Sequence, residues 1–180
     1  MNRVTIEIVE GDILSQSVRG IAISTDTTLN LSPTLLEKTG ESVQVACREI
    51  GWCNVGSAAI TTAGNLPQDK IIHVVGPRWG EGGERAKLTS ATLRCLQLAE
   101  ENKLKSIALP AVSTGVYGYP VENCATVMLN EIIDYTFEDL KHLRTVLVCL
   151  QNPQIFTVFH TEFELIIQKL AANGNVEVRA

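Results

Sequence analysis

No stretch of this chain stays apolar for the roughly 20 residues that a membrane span requires. Met1 leads almost at once into Val4-Thr5-Ile6-Glu7-Ile8, which leaves no room for a secretory leader, so a cytoplasmic location is expected. The five cysteines, Cys47, Cys53, Cys95, Cys124 and Cys149, form no C-x-x-C pair. An odd count inside apolar patterns reads as buried free thiols in a reducing compartment. His73, His142 and His160 lie far apart and outside any ligand motif, so no metal and no cofactor are expected. Like charges form no block, and the formal net charge is −5. Direct nucleic-acid binding, which needs a basic face, is thereby excluded as the expected function. A single small anion held by backbone amides stays compatible with that charge.

What is present is ordinary for a globular fold, 45% hydrophobic and 19% charged over 180 residues, the length of one domain. Residues 3–9 alternate apolar and polar, the pattern of a half-buried edge strand. Ile21-Ala22-Ile23, within Gly20 to Ser24, does not alternate, as expected of a strand covered on both faces. Thr25 to Pro33 reads as a loop, followed by helices over Thr34 to Thr39 and Glu41 to Ile50. Strands are expected at Ala58 to Thr62 and Lys70 to Val75, then an amphipathic helix from Ala86 to Asn102. A strand at Ser106 to Val112, a helix at Val121 to Phe137, a covered strand at Val146 to Leu150 and a helix from Pro153 to about Leu170 complete the order. Alternating strands and helices imply a mostly parallel sheet between two helical layers. In such sheets ligands bind beyond the carboxyl ends of the strands, here the loops after Ile8, Ser24, Val112 and Leu150. His73, Trp52 and Trp79 read as packing residues, and Glu37-Lys38 and Glu100-Glu101 as solvated helix faces.

The stretch that organises the rest is Ser106 to Pro120, SIALPAVSTGVYGYP. An apolar run feeds a loop of glycines and hydroxyls, and Pro120 opens a helical pattern, a place proline suits. Strand, glycine turn and helix start together aim several N–H groups at one point, a concavity for an anion such as phosphate. Gly115 and Gly118 allow close approach of a ligand, and Tyr117 and Tyr119 can wall or cover it. An ordinary strand-to-helix turn has the same composition.

Leu109-Pro110-Ala111-Val112-Ser113-Thr114-Gly115-Val116-Tyr117-Gly118-Tyr119-Pro120 resembles the second phosphate loop of the macrodomains, a family that binds ADP-ribose. Gly11-Asp12-Ile13, Gly56 to Thr61 and Lys70 to Pro77 resemble further blocks of that family, in its order. Thr34 to Gly40 and Gly76 to Gly80 are most similar to the macrodomain of the large vertebrate histone variant. The resemblance implies a three-layer α/β/α sandwich with a mostly parallel mixed central sheet, a macrodomain over residues 1–172 and a tail over 173–180. It implies that Asp12 grips adenine with the Ile13 N–H beside it, although an N-cap or turn aspartate has the same surroundings. It places a diphosphate on Ser113, Thr114, Gly115, Val116, Tyr117 and Gly118, and adenine against Leu150, Gln151 and Asn152.

The chain also departs from the family. Ile23-Ser24-Thr25-Asp26 stands where many members carry Asn-Ala-Ala-Asn, and Asn30-Leu31-Ser32-Pro33 replaces a run of glycines. Asp26 is left as the candidate catalytic residue, or as an acceptor for ribose hydroxyls, or as a loop aspartate in an Asx turn. An ionised aspartate accepts but cannot donate. Leu150 takes the place of a stacking aromatic, a loss of about 0.5–1.5 kcal/mol by analogy with aromatic pairs. Phe156 or Phe159 from the next helix could compensate, although core packing is the expectation for both. Three functions follow: recognition of ADP-ribose, free or carried on a protein; hydrolysis of ADP-ribosyl protein or O-acetyl-ADP-ribose through Asp26; or binding of another nucleotide.

Overall fold

The structure, a computed structural model, describes residues 4–174. A six-stranded sheet in the order β1-β6-β5-β2-β4-β3 lies at its centre. The strands are β1 (Thr5–Glu10), β2 (Gly20–Ser24), β3 (Ser57–Thr62), β4 (Lys70–Val75), β5 (Ser106–Leu109) and β6 (Thr145–Leu150). Every neighbouring pair is parallel except β3 with β4. The helices are α1 (Pro33–Thr39), α2 (Glu41–Ile50), α3 (Glu84–Glu101), α4 (Val121–Tyr135) and α5 (Pro153–Ala172).

The two-residue period of each strand splits the core in two. Ala22, Ile72, Val74, Ile107, Leu109, Val146 and Val148 face α3, α4 and α5, where Leu96, Met128, Ile132 and Phe159 are fully buried. Ile21, Ile71, Val75 and Ala108 face the other way, against Leu29, Val43 and Cys47. Each fully buried Leu, Ile or Phe contributes about 1.5–3 kcal/mol of transfer free energy, so the sheet is held from both sides. All five cysteines are buried and free.

Local sequence sets most element ends. Ser32 Oγ accepts from Leu35 N–H at 3.2 Å, with Pro33 in the first turn, so α1 begins one residue before the expected Thr34. Asn152 caps α5 in the same way, accepting from Gln154 N–H at 2.8 Å and Ile155 N–H at 3.2 Å. The strand expected over Ser106 to Val112 stops at Leu109, because Pro110 has no N–H to give to the ladder. The chain therefore leaves the sheet at Pro110. Helix α4 ends at Tyr135 instead of Phe137, which is 62% exposed. The tail expected over 173–180 lies mostly outside the described residues.

Glu100 corrects the expectation of a solvated pair. Its carboxylate accepts from the N–H groups of Lys141, His142 and Leu143 at 2.7–3.1 Å and so ties down the loop ahead of β6. Partial burial pushes its pKa up, but the three amides outweigh this and hold it below the ordinary glutamate value.

His73 is fully buried in β4, as expected of a core histidine. Thr61 Oγ1 donates its one proton to Thr62 C=O at 2.9 Å, so at 2.8 Å it accepts from His73 Nε2–H. Burial lowers the His73 pKa to about 4. The unfolded chain, with a pKa near 6.5, takes up this proton first, so the contribution is complete above pH ~6.5 and lost as pH falls toward ~4. Over that window the loss should total about 3 kcal/mol, at ~1.4 kcal/mol per pH unit. Urea unfolding followed against pH should show this slope in the wild type and a shallower one in His73→Gln, which keeps a donor toward Thr61. Identical slopes would remove His73 as the responsible group.

Candidate nucleotide cleft

The carboxyl ends of β1, β2, β4, β5 and β6 all open at one edge of the sheet, because these five strands run parallel. Two depressions lie there and share Ala111. The larger, about 650 Å³, is lined by Ile23 to Asp26, Asn30 to Ser32, Leu35, His73, Gly76, Arg78 and Ser113 with Gly115 to Tyr117. The smaller, about 260 Å³, is lined by Gly11, Ile13, Thr114, Cys149, Leu150, Gln151, Asn152 and Ile155. The expected single site from four loops is thus a divided groove with a fifth loop, the turn after β4. Sequence reasoning missed that turn because the parallel pairing of β2 with β4 (Ala22 with Ile72) is not written in either strand.

Between the two depressions runs the loop from Pro110 to Pro120. Gly118 N–H donates to Gly115 C=O at 3.0 Å, and Tyr119 N–H to Ser113 C=O at 2.9 Å. Thr114 Oγ1 donates to Ala111 C=O at 2.9 Å. The N–H groups of Gly115, Val116 and Tyr117 donate to no acceptor among the described residues. Val116 is 96% exposed, so its side chain does not cover them. A Cβ placed on Gly115 meets nothing within 4 Å. Three successive unpaired amides beside open space are donors of the kind that can hold an anion.

Ser113 takes φ +66°, a left-handed backbone unusual for a residue other than glycine. Its hydroxyl is buried without a hydrogen-bond partner among the described residues. It lies against Gly76, where an added Cβ would collide with it and with Val112. The turn after β4 therefore has to carry glycine at that point. Further along the turn, Trp79 N–H donates to Tyr117 C=O at 2.9 Å. The Trp79 ring meets Tyr119 edge-on, with centroids 5.1 Å apart. Tyr119, expected as a possible cover, is instead core, whereas Tyr117 lines the cleft.

Asp12 follows β1 between Gly11 and Ile13, both of which line the smaller depression. Its Oδ1 accepts from Leu14 N–H at 3.0 Å, capping a short 3-10 turn over Ile13–Ser15. One carboxylate oxygen therefore serves the backbone, and the Ile13 N–H has no acceptor among the described residues. Burial pushes the neighbouring Cys149 thiol up to about 11, with a smaller contribution from the Asp12 carboxylate. Leu150 is nearly buried, and Ile155, not an aromatic residue, lines the smaller depression beside it. Phe159 is core, and Phe156 meets the His160 ring at a tilt of 35°, with centroids 5.5 Å apart.

Asp26 is exposed on the opposite wall and forms the Asx turn that its sequence allowed. Oδ1 accepts from Thr28 N–H at 2.9 Å and from the Thr28 hydroxyl, which in turn accepts from Asn30 Nδ2 at 2.9 Å. Of the expected site residues, Asp26, Ser113, Gly115, Val116 and Tyr117 come together on the larger depression. Ile13, Thr114, Leu150, Gln151 and Asn152 gather on the smaller, while Asp12 and Gly118 line neither. Among the described residues no group of three or more His, Cys, Asp or Glu side chains could hold a metal ion. None of their helices is long and apolar enough to cross a membrane.

A family model for the Macro domain matches residues 29–128, more than half of the chain. O-acetyl-ADP-ribose deacetylase 1 of Pantoea vagans is 36% identical over 155 residues, which cover 80% of this chain and 90% of that protein. The Oceanobacillus iheyensis macrodomain, solved with ADP, superposes with a TM-score of 0.86 at 29% identity and covers 93% of this chain and 94% of its own. A glycine-to-valine mutant of it with ADPR gives a TM-score of 0.85 at 28% identity, with 93% and 96% coverage. With its β/α order, its mixed sheet and its strand-end loop matched along this length, the chain belongs to the Macro domain family.

Proposed function

We propose that this chain binds ADP-ribose, free or carried on a protein, along the divided groove. The observation that carries the reading is the set of three unpaired amides at Gly115, Val116 and Tyr117, on the larger of two adjoining depressions. Adenine lies in the smaller one, with Asp12 accepting from its amino group and Ile13 N–H beside it. The diphosphate crosses Ala111 onto the amides, where the Ser113 hydroxyl gains the partner it lacks. The second ribose then faces Asp26. Related macrodomain structures hold ADP or ADPR, which supports a nucleotide of this kind. Calorimetry with ADP-ribose, AMP and NAD tests the reading and separates it from recognition of another nucleotide, a choice that the apolar Leu150 and Ile155 surface leaves to experiment.

Replacing Asp12 tests the adenine end. Asp12→Ala should weaken ADP-ribose binding by about 1.5–3 kcal/mol, the range for hydrogen bonds to charged groups. It also removes the cap on Leu14, so Asp12→Asn, which keeps a capping oxygen, separates recognition from stability. Wild-type affinity in both folded variants would strike Asp12 from the site.

Gly115→Glu tests the loop. Open space around a Cβ there means that the fold should tolerate the side chain, while its carboxylate occupies the place of the diphosphate. Binding should become undetectable with little change in melting temperature. Wild-type binding by this variant would reduce the loop to a turn.

A second reading, hydrolysis, is favoured by the deacetylase relative and by the Asn30–Thr28–Asp26 hydrogen-bonded chain at the cleft. Slow or absent release of mono-ADP-ribose from protein is the expected outcome, because the Asn and glycine positions of catalytic members are replaced. Fast turnover by the wild type would overturn the pure binder. In that case Asp26→Ala should lower the rate about 10²–10⁴-fold if Asp26 is the base, and Asp26→Asn, which orients a water but takes no proton, should fail to restore it.

A further inference from the structure

Arg78 lies in the turn after β4, a place that no motif marks as functional. It lines the larger depression together with Gly115, Val116 and Tyr117, and among the described residues it is the one lysine or arginine to do so. Its guanidinium carbon sits 4.4 Å from the centroid of the Tyr117 ring. Stacking on the ring engages the flat face of the guanidinium and leaves its in-plane N–H donors available. Its acidic neighbour, Glu81, is 3.9 Å from Nε, with side chains 57% and 56% exposed, an ion pair of little strength. Tyr117 is itself fixed to the same turn by the Trp79 N–H bond at 2.9 Å, so the cation and the amides move as one piece.

We propose that Arg78 is a specificity-determining residue that makes the groove select a diphosphate over a monophosphate. This rests on the orientation of the nucleotide proposed above. With the adenosine end in the smaller depression, the first phosphate lies where the two depressions meet, at Ala111 and Thr114. Only a second phosphate extends onto Gly115, Val116 and Tyr117, and only there does it come under Arg78. The planar fork then offers two parallel charge-assisted donors to oxygens that the amides hold from the other side. The amides supply direction, and Arg78 supplies a positive charge on a wall whose acidic residue, Asp26, is negative.

The test is calorimetry of AMP, ADP and ADP-ribose against the wild type, Arg78→Gln and Arg78→Lys, with melting temperature as the check on folding. Arg78→Gln should weaken ADP and ADP-ribose about tenfold, the low end for a charged hydrogen bond because the site is half exposed, and leave AMP within about twofold. Arg78→Lys should recover part of the loss, since it keeps the charge and gives up the fork. Unchanged ADP-ribose binding in Arg78→Gln overturns the assignment. An equal loss on AMP also overturns it, because Arg78 would then be propping the loop through Tyr117. A lysine variant no better than glutamine removes charge as the cause. A wild type that binds none of the three nucleotides strikes the nucleotide reading itself, an outcome separate from a failure of Arg78.

Discussion

Three backbone N–H groups, at Gly115, Val116 and Tyr117, find no acceptor among the described residues, and much of the surrounding structure keeps them so. An unpaired amide near the surface of a fold normally turns toward water or closes a turn. Here Tyr119 N–H and Gly118 N–H take the local carbonyls of Ser113 and Gly115, and Trp79 takes that of Tyr117. Ser113 adopts a left-handed backbone to bring the chain round, a strain of about 1–3 kcal/mol that has to be offset elsewhere in the fold. The neighbouring strand end carries Gly76 to make room for its hydroxyl. Pro110 ends β5 early and starts the loop at the sheet edge. Each of these features costs something locally, and together they hold a preorganised set of dipoles.

Dipoles suit a chain of this charge. With a net charge of −5 the protein repels anions at long range, so an anion has to be recognised at contact by groups that carry no net charge. One guanidinium, held against an aromatic ring, can then sharpen the choice among small anions.

The opposite end of the sheet is managed by the same chemistry with the signs reversed. The Glu100 carboxylate gathers three amides from the loop ahead of β6 and fixes the entry to the strand beside β5. His73, under the larger depression, contributes a neutral donor to Thr61 and stays neutral because burial disfavours its charged form. Glu100 and His73 are thus committed to structure, whereas the Ser113 hydroxyl and the three loop amides at the carboxyl end of the sheet are not.

Sequence alone determined the element order, since hydrophobic period and caps are local properties. Ser32-Pro33 and Asn152-Pro153 carry their helix-start chemistry within two residues, and Gly20 to Ser24 shows its two-sided burial in its own composition. The strand-end loop was legible for the same reason: Ser113 to Gly118 carries its turn chemistry within six residues, and the resemblance to macrodomains rests on it. Tertiary structure decided what depends on neighbours distant in sequence. The β2–β4 pairing brought Gly76 and Arg78 to the site, and neither strand encodes its partner. Packing of α5 assigned Phe159 to the core and turned Ile155 to the smaller depression. Glu100 became a loop cap because residues 41 to 43 positions away present their amides to it. A side chain's type can be read from the chain, but the partner that gives it a role is set by sheet order and packing.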